Sequence, residues 1–211
     1  MRIVSDGIYY ACGLTLVGLA VSYFLTPWIG IPCYVLAAFC LYFFRDPDRI
    51  TPAGDLLLAP ADGKVVAIRQ ITPQETRISI FLNVFNVHVN RTPVPGRISE
   101  VLYQQGKFLV ASHEAASAEN EQNTLVLQTV VHGKPSRVVC RQIAGLIARR
   151  IVCYKQPGDS VAAGERIGYI KFGSRMDIVF GPEWTSTVKI GDKVSAGTSI
   201  LARPADVGET A

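Results

Sequence analysis

The strongest constraint on this chain lies at its start. Ile8 to Leu25 carries no charge and is apolar almost throughout. As a helix it would reach roughly 27 Å, close to the hydrocarbon thickness of a bilayer. Pro27-Trp28-Ile29-Gly30-Ile31-Pro32 breaks it, and Cys33 to Phe44 is a second apolar run. The second run reaches only roughly 18 Å, so it spans only if the Trp28–Pro32 segment joins it. Neither run has the polar face of a surface helix. The reading is an N-terminal hydrophobic helical hairpin, residues 1–44, that crosses twice or dips in and returns. A cleaved secretory signal is the competing reading. Its basic region would be the single Arg2, and it needs no second apolar run. Arg45 and Arg49 flank the exit and Arg2 lies near the entry. The positive-inside tendency then puts both ends, and the domain after them, on the cytoplasmic side of the cell membrane.

Residues 45–211 hold nearly all the charge. The chain has 21 Lys+Arg against 17 Asp+Glu, a net +4, and only Arg2 and Asp6 precede Arg45. A mildly basic domain suits an anionic membrane surface. Without a Lys/Arg run it gives no reason to expect nucleic acid. Five cysteines (Cys12, Cys33, Cys40, Cys140, Cys153) show no CxxC spacing and read as reduced thiols. His88, His113 and His132 show neither HxH nor HExxH spacing, which argues against a metal site.

After the linker Arg45-Asp46-Pro47-Asp48-Arg49, short β-rich runs alternate with Gly, Pro, Asp and Asn turns. Strands are expected at Lys64–Ile68, Arg77–Leu82, Val87–Asn90, Gly96–Tyr103, Thr124–Val131, Arg137–Ile143, Gly168–Ile170, Met176–Phe180 and Ser199–Ala202. This density implies a mainly β barrel or sandwich. A short helix is expected around Gly145–Val152, and a loop or frayed helix over Ser112–Gln122. An internal repeat is visible. Gly158-Asp159-Ser160-Val161-Ala162-Ala163-Gly164 recurs 33 residues on as Gly191-Asp192-Lys193-Val194-Ser195-Ala196-Gly197. Each copy supplies a tight turn, a core valine and a second turn. Such units resemble the duplicated hammerhead motif of biotinyl and lipoyl carriers, although no carrier lysine stands between them.

Between the copies lies Phe172-Gly173-Ser174-Arg175. A glycine before a serine leaves its carbonyl open to attack and tolerates a strained backbone. Once a base removes the Ser174 hydroxyl proton, the oxygen can attack the Gly173 carbonyl, moving the acyl group from nitrogen to oxygen. β-Elimination of that ester cuts the chain, and hydrolysis of the resulting dehydroalanine releases ammonia and leaves a pyruvoyl group. This is nucleophile activation turned on the protein's own backbone. His88, in Asn86-Val87-His88-Val89-Asn90, is the candidate base, on the strand face opposite Val87 and Val89. Asp62, in Pro60-Ala61-Asp62-Gly63, is the candidate that orients its ring.

These segments, with the hairpin and Phe43-Phe44-Arg45-Asp46-Pro47, resemble the phosphatidylserine decarboxylases of the short proenzyme type over nearly the whole chain. The resemblance implies cleavage between Gly173 and Ser174, giving a β chain 1–173 and an α chain 174–211 that remain together as a heterodimer, with higher oligomers left open. It implies an Asp62, His88, Ser174 triad, a covalent pyruvate cofactor derived from Ser174, and decarboxylation of phosphatidylserine to phosphatidylethanolamine. The same chemistry on another serine phospholipid, such as archaetidylserine, is one alternative, and a non-catalytic membrane-anchored hammerhead module is the other. Arg175, Arg45 and Arg49 are candidates for contacting the lipid phosphate.

Overall fold

The computed structural model describes residues 1–106, 120–145, 150–171 and 173–205. The chain forms two compact units, Met1–Asp48 and Arg49–Ala211.

In the first unit, β1 (Arg2–Ile3) leads into α1 (Ser5–Phe24), α2 (Pro27–Phe43) and β2 (Arg45–Asp46), and β1 pairs with β2. The break expected over Pro27–Pro32 narrows to Leu25–Thr26. Pro27 opens α2, where its missing N–H costs nothing, and Pro32 lies inside the helix. Small residues let the two helices approach. Gly18 faces the Tyr34 ring and Gly30 faces Ser22, whose hydroxyl lies 3.3 Å from that of Tyr34. The large apolar side chains instead point outward, including Leu16, Leu19, Tyr23, Phe24, Trp28 and Val35. With 20 residues, α1 is long and apolar enough to cross a membrane; α2, with 17, is shorter.

The second unit is mainly β. Its strands are β3 (Leu57–Leu58), β4 (Gly63–Thr72), β5 (Glu75–Leu82), β6 (Val89–Arg91), β7 (Gly96–Gln104), β8 (Gln122–Val131), β9 (Lys134–Ala144), β10 (Ile151–Cys153), β11 (Ser160–Val161), β12 (Arg166–Ile170), β13 (Ser174–Phe180), β14 (Trp184–Ser186), β15 (Lys193–Val194) and β16 (Ile200–Pro204). Eight form a curled half-barrel in the order β11-β7-β8-β9-β13-β5-β4-β15. Two three-stranded sheets, β10-β12-β6 and β14-β16-β3, complete the unit. All nine expected strands are present. Of the expected helix, residues 146–149 lie outside the described residues and Ile151–Cys153 is strand. Of the expected loop, residues 112–119 lie outside them and Gln122 opens β8.

The strand orders expose an internal symmetry. The eight-stranded order reads the same from both ends when β11, β7, β8 and β9 are exchanged for β15, β4, β5 and β13. The two repeated sequences occupy the matching outer edges, with matching backbones. Gly158 and Gly191 have φ of 99° and 102°, and Gly164 and Gly197 both have 71°. In each turn the aspartate accepts a backbone N–H, Gln156 to Asp159 Oδ2 at 3.0 Å and Lys189 to Asp192 Oδ2 at 2.8 Å. The symmetry extends to a pair of turns that sequence reading passed over. Pro60-Ala61-Asp62-Gly63 before β4 corresponds to Pro93-Val94-Pro95-Gly96 before β7. The two turns are tied reciprocally. Leu58 donates its N–H to the Pro93 carbonyl at 2.8 Å, and Arg91 donates to the Pro60 carbonyl at 2.9 Å.

The core fills the inner face of the half-barrel with Ile78, Ile80, Leu82, Leu125, Leu127, Cys140, Met176, Ile178 and Phe180. Its alternation follows the two-residue period of each strand. One repeat turn carries a pH-sensitive link. Lys155 Nζ donates to Glu165 Oε1 at 2.5 Å, and the Ala162 N–H donates to Oε2 at 2.8 Å. The Lys155 hydrogen bond, the largest cause, holds the Glu165 carboxyl below its usual range. A depressed folded pKa means that this stabilisation is present above the unfolded value of about 4.3 and is lost as pH falls through the folded one. Lys155→Met should therefore lower the melting temperature at pH 7, and thermal melts should show that deficit closing as the pH falls through the lowered folded value of Glu165.

Candidate active site

Ser174 is the first residue of β13, the strand that runs between β9 and β5. Its cross-strand partners are Ala144 and Leu82, which puts its side chain on the inner face. Every residue of β13 is buried. The Ser174 hydroxyl oxygen is buried and makes no hydrogen bond among the described residues. Gly173 has φ +42°, a conformation L side chains rarely adopt, yet an added Cβ would meet nothing within 4 Å. Glycine is required there by backbone conformation rather than by lack of room.

The turn that follows Leu82 delivers His88. Asn83 N–H donates to Asn86 Oδ1 at 2.9 Å and Phe85 N–H donates to Asn83 Oδ1 at 2.9 Å, so two asparagines close the turn with their own side chains. Leu82 is the cross-strand partner of Ser174, and His88 comes six residues later. A second tether comes from the other side of the cleavage site. Ile170, four residues before Ser174, donates its N–H to the His88 carbonyl at 3.4 Å. The His88 ring is buried, with Nδ1 2.9 Å from the Asn86 carbonyl oxygen. A carbonyl only accepts, so Nδ1 carries the proton and Nε2 carries the lone pair of a base. The expected alternation of faces around His88 is absent. Val87, His88 and Val89 are all buried, because β6 starts only at Val89 and packing covers both sides.

Asp62 lies in the Pro60–Gly63 turn. Its carboxylate accepts from Arg49 at 2.8 and 3.1 Å and from the Ala196 N–H at 2.8 Å. His88 is not among its partners; the group that orients the His88 ring is the Asn86 carbonyl. The Asp62 carboxylate instead joins the linker residue Arg49 and the second repeat turn to the start of β4.

The arginines expected to face a lipid phosphate are otherwise occupied. Arg175 is 2% exposed and donates to Asp177 Oδ1 at 2.6 Å, Asp177 Oδ2 at 3.2 Å and Ser79 Oγ at 2.7 Å. That places it in a buried ion pair on the outer face of the sheet, opposite Ser174. Arg49 pairs with Asp62. Arg45 donates to the Tyr42 carbonyl at 2.7 Å and stacks 3.8 Å over the Tyr42 ring. A groove of about 750 Å³ also lies on the outer face, lined by Glu75, Arg77, Glu100, Arg137 and Arg141 among others. It does not include Ser174 or His88.

Sequence reading missed a line of buried amides. Asn123 Nδ2 donates to Gln142 Oε1 at 3.0 Å, and Gln142 Nε2 donates to Asn90 Oδ1 at 2.9 Å. Gln142 and Asn90 are fully buried and Asn123 nearly so. The signal was present in β9, where Gln142 breaks an apolar inner face between Cys140 and Ala144.

Residues 36–202 match the family model described as phosphatidylserine decarboxylase. The chain belongs to the phosphatidylserine decarboxylase family. It is 57% identical over 208 residues to a phosphatidylserine decarboxylase proenzyme of Solibacter usitatus, covering 98% of both chains. It is 44% identical over 208 residues to another from Nitrosomonas eutropha, covering 95% of this chain and 94% of that one. Proenzymes of this family carry a pyruvoyl group produced by their own cleavage.

The ion pair beside the cleavage site gives a direct test of its structural weight. Asp177→Asn would leave the Arg175 guanidinium buried without its counter-charge. Urea unfolding should show a loss of about 3 kcal/mol or more.

Proposed function

We propose that the chain cuts itself between Gly173 and Ser174 and then works as a pyruvoyl-dependent phosphatidylserine decarboxylase. The observation that carries the reading is the conjunction at the start of β13. A buried serine hydroxyl follows a glycine held at positive φ, and Ile170, four residues before that serine, is bonded to the backbone of His88, whose tautomer leaves Nε2 basic. The cleavage steps fall to this chain's own residues. His88 Nε2 takes the Ser174 hydroxyl proton, the oxygen attacks the Gly173 carbonyl carbon, and the Gly173–Ser174 C–N bond breaks as the imidazolium returns a proton to the nitrogen. Loss of the α proton from the ester then expels the Gly173 carboxylate and leaves dehydroalanine at position 174. Water converts that enamine to a pyruvoyl group with loss of ammonia. Asp62 serves as a positioning residue. It anchors the Pro60–Gly63 turn, and the Pro60 carbonyl holds the Arg91 N–H of β6, three residues beyond His88.

The residues around position 174 fit the cofactor this sequence of steps makes. The inner face there is dry, and Gly173 leaves space on its open side. A pyruvoyl carbonyl supplies an electron sink as the serine head group loses CO2. His88 remains the group placed to hold or return a proton at position 174. Both product chains stay joined, because α-chain strands β13, β15 and β16 pair with β-chain strands β9, β5, β4 and β3. The matched φ angles of the two repeat turns support reading them as paired hammerhead units. The hairpin supports membrane anchoring, and Arg2, Arg45 and Arg49 support a cytoplasmic catalytic unit on an anionic surface. A two-chain lipid can then meet the site without leaving the bilayer.

Intact mass spectrometry under denaturing conditions tests the reading. The wild type should give chains 1–173 and 174–211, the smaller lighter than its serine form by one ammonia. Ser174→Ala should remain a single chain without decarboxylase activity, and His88→Ala should be cut about 100-fold more slowly or not at all. A Ser174→Ala protein that still divides at this bond would sink the self-processing mechanism.

A further inference from the structure

Asn90 offers a buried donor that the fold does not use. It is fully buried and its Oδ1 is occupied by Gln142, while its Nδ2 makes no hydrogen bond among the described residues. An unpaired buried amide donor costs free energy, so its presence calls for an acceptor formed at some stage of function. The Asn123–Gln142–Asn90 relay sets its polarity. Asn123 donates to Gln142 Oε1, which turns Gln142 Nε2 toward Asn90 Oδ1 and leaves Asn90 Nδ2 pointing elsewhere.

The register locates this donor. Gln142 is the cross-strand partner of Met176, and Ala144 is the partner of Ser174. Both pairs lie on the inner face, one two-residue step apart, ~7 Å along the strand. Asn90 reaches that face from β6, where it stands opposite Gly168 of β12, and the His88 carbonyl accepts from the Ile170 N–H on the same strand. Both residues are thereby held along β12, which ends at Ile170, four residues before Ser174.

We infer that Asn90 is a catalytic residue of the self-cleavage, its Nδ2 donating to the Gly173 carbonyl oxygen as that oxygen becomes negative. When Ser174 Oγ bonds to the Gly173 carbon, the carbonyl electron pair moves onto oxygen and the proton goes to His88 Nε2. The new oxyanion gives Nδ2 an acceptor where the described residues give it none, and a preplaced donor in a buried site lowers the barrier to reaching it. The inference rests on the Gly173–Ser174 cleavage proposed above.

The test follows cleavage of newly synthesised full-length chain in liposomes, sampled over time on denaturing gels. Asn90→Asp keeps the shape and replaces the donor with an acceptor. It should yield a protease-resistant, folded precursor cut about 100-fold more slowly than wild type or worse. Hydroxylamine, which cleaves esters, should not speed its cutting, because the block precedes ester formation. Gln142→Glu leaves Asn90 in place but presents an acceptor to it, turning the carboxamide so that Nδ2 faces residue 142. It should be slowed likewise, and it decides the matter if Asn90→Asp does not fold. A folded Asn90→Asp or Gln142→Glu chain cut at the wild-type rate overturns the inference, as does an Asn90→Asp precursor that hydroxylamine divides at Gly173. In either case a wild type cut at Gly173, with Ser174→Ala uncut, leaves the cleavage reading standing. A wild type that stays whole removes both.

Discussion

Two backbone hydrogen bonds hold the catalytic unit's halves in register. Leu58 gives its N–H to Pro93 and Arg91 gives its N–H to Pro60. Each bond joins the short strand of one half to the proline turn that starts the other half's long strand. Proline suits the accepting position, since it offers a carbonyl while bringing no N–H that would need an acceptor in return. From these turns β4 and β7 run to opposite edges of the half-barrel, where the two repeat turns close them through β15 and β11. The symmetry leaves one position conspicuously unequal. Asp62 stands in one turn where Pro95 stands in the other, and only the former reaches across to Arg49 and Ala196.

The proposed chemistry falls at the middle of this symmetric sheet. β13 is buried along its whole length, with β9 and β5 on its flanks and the core beneath it. Its first residue is Ser174, the proposed nucleophile. Burial keeps water from position 174, and sheet pairing fixes it on a rigid element. The alternation of β13 sorts its polar residues. Ser174 faces inward toward the amide line, whereas Arg175 and Asp177 face outward and satisfy each other and Ser79. A nucleophile and a buried ion pair can thus be sequence neighbours without sharing an electrostatic environment.

Much of this architecture was legible in the sequence, and what was not has physical causes. Turn residues marked the strands, since Gly, Pro, Asp and Asn earn their places by backbone preferences that act locally. The length of Ile8–Leu25 likewise announced α1. The G-D-x-V-x-A-G repeat was visible because five residues and a backbone conformation recur together. The proline-turn repeat was not, since its signal is little more than one proline and one glycine. Ser174, Gly173 and His88 were legible as candidates because their residue types and order suggest chemistry. The orientation of His88 was not, because its partner is the Asn86 carbonyl, a group every residue possesses. Arg175 misled for the opposite reason: a lone charged side chain usually faces water, and only the register of β13 shows that Asp177 and Ser79 enclose it.

The placement of β13 also has a consequence for the timing of synthesis. Its hydrogen-bonding partners include β5, whose residues leave the ribosome about a hundred positions earlier. Until β13 emerges, the sheet has an open slot between β9 and β5. A chain that stops before position 174 carries neither the central strand nor Ser174, so its half-barrel stays divided and its core stays open to water.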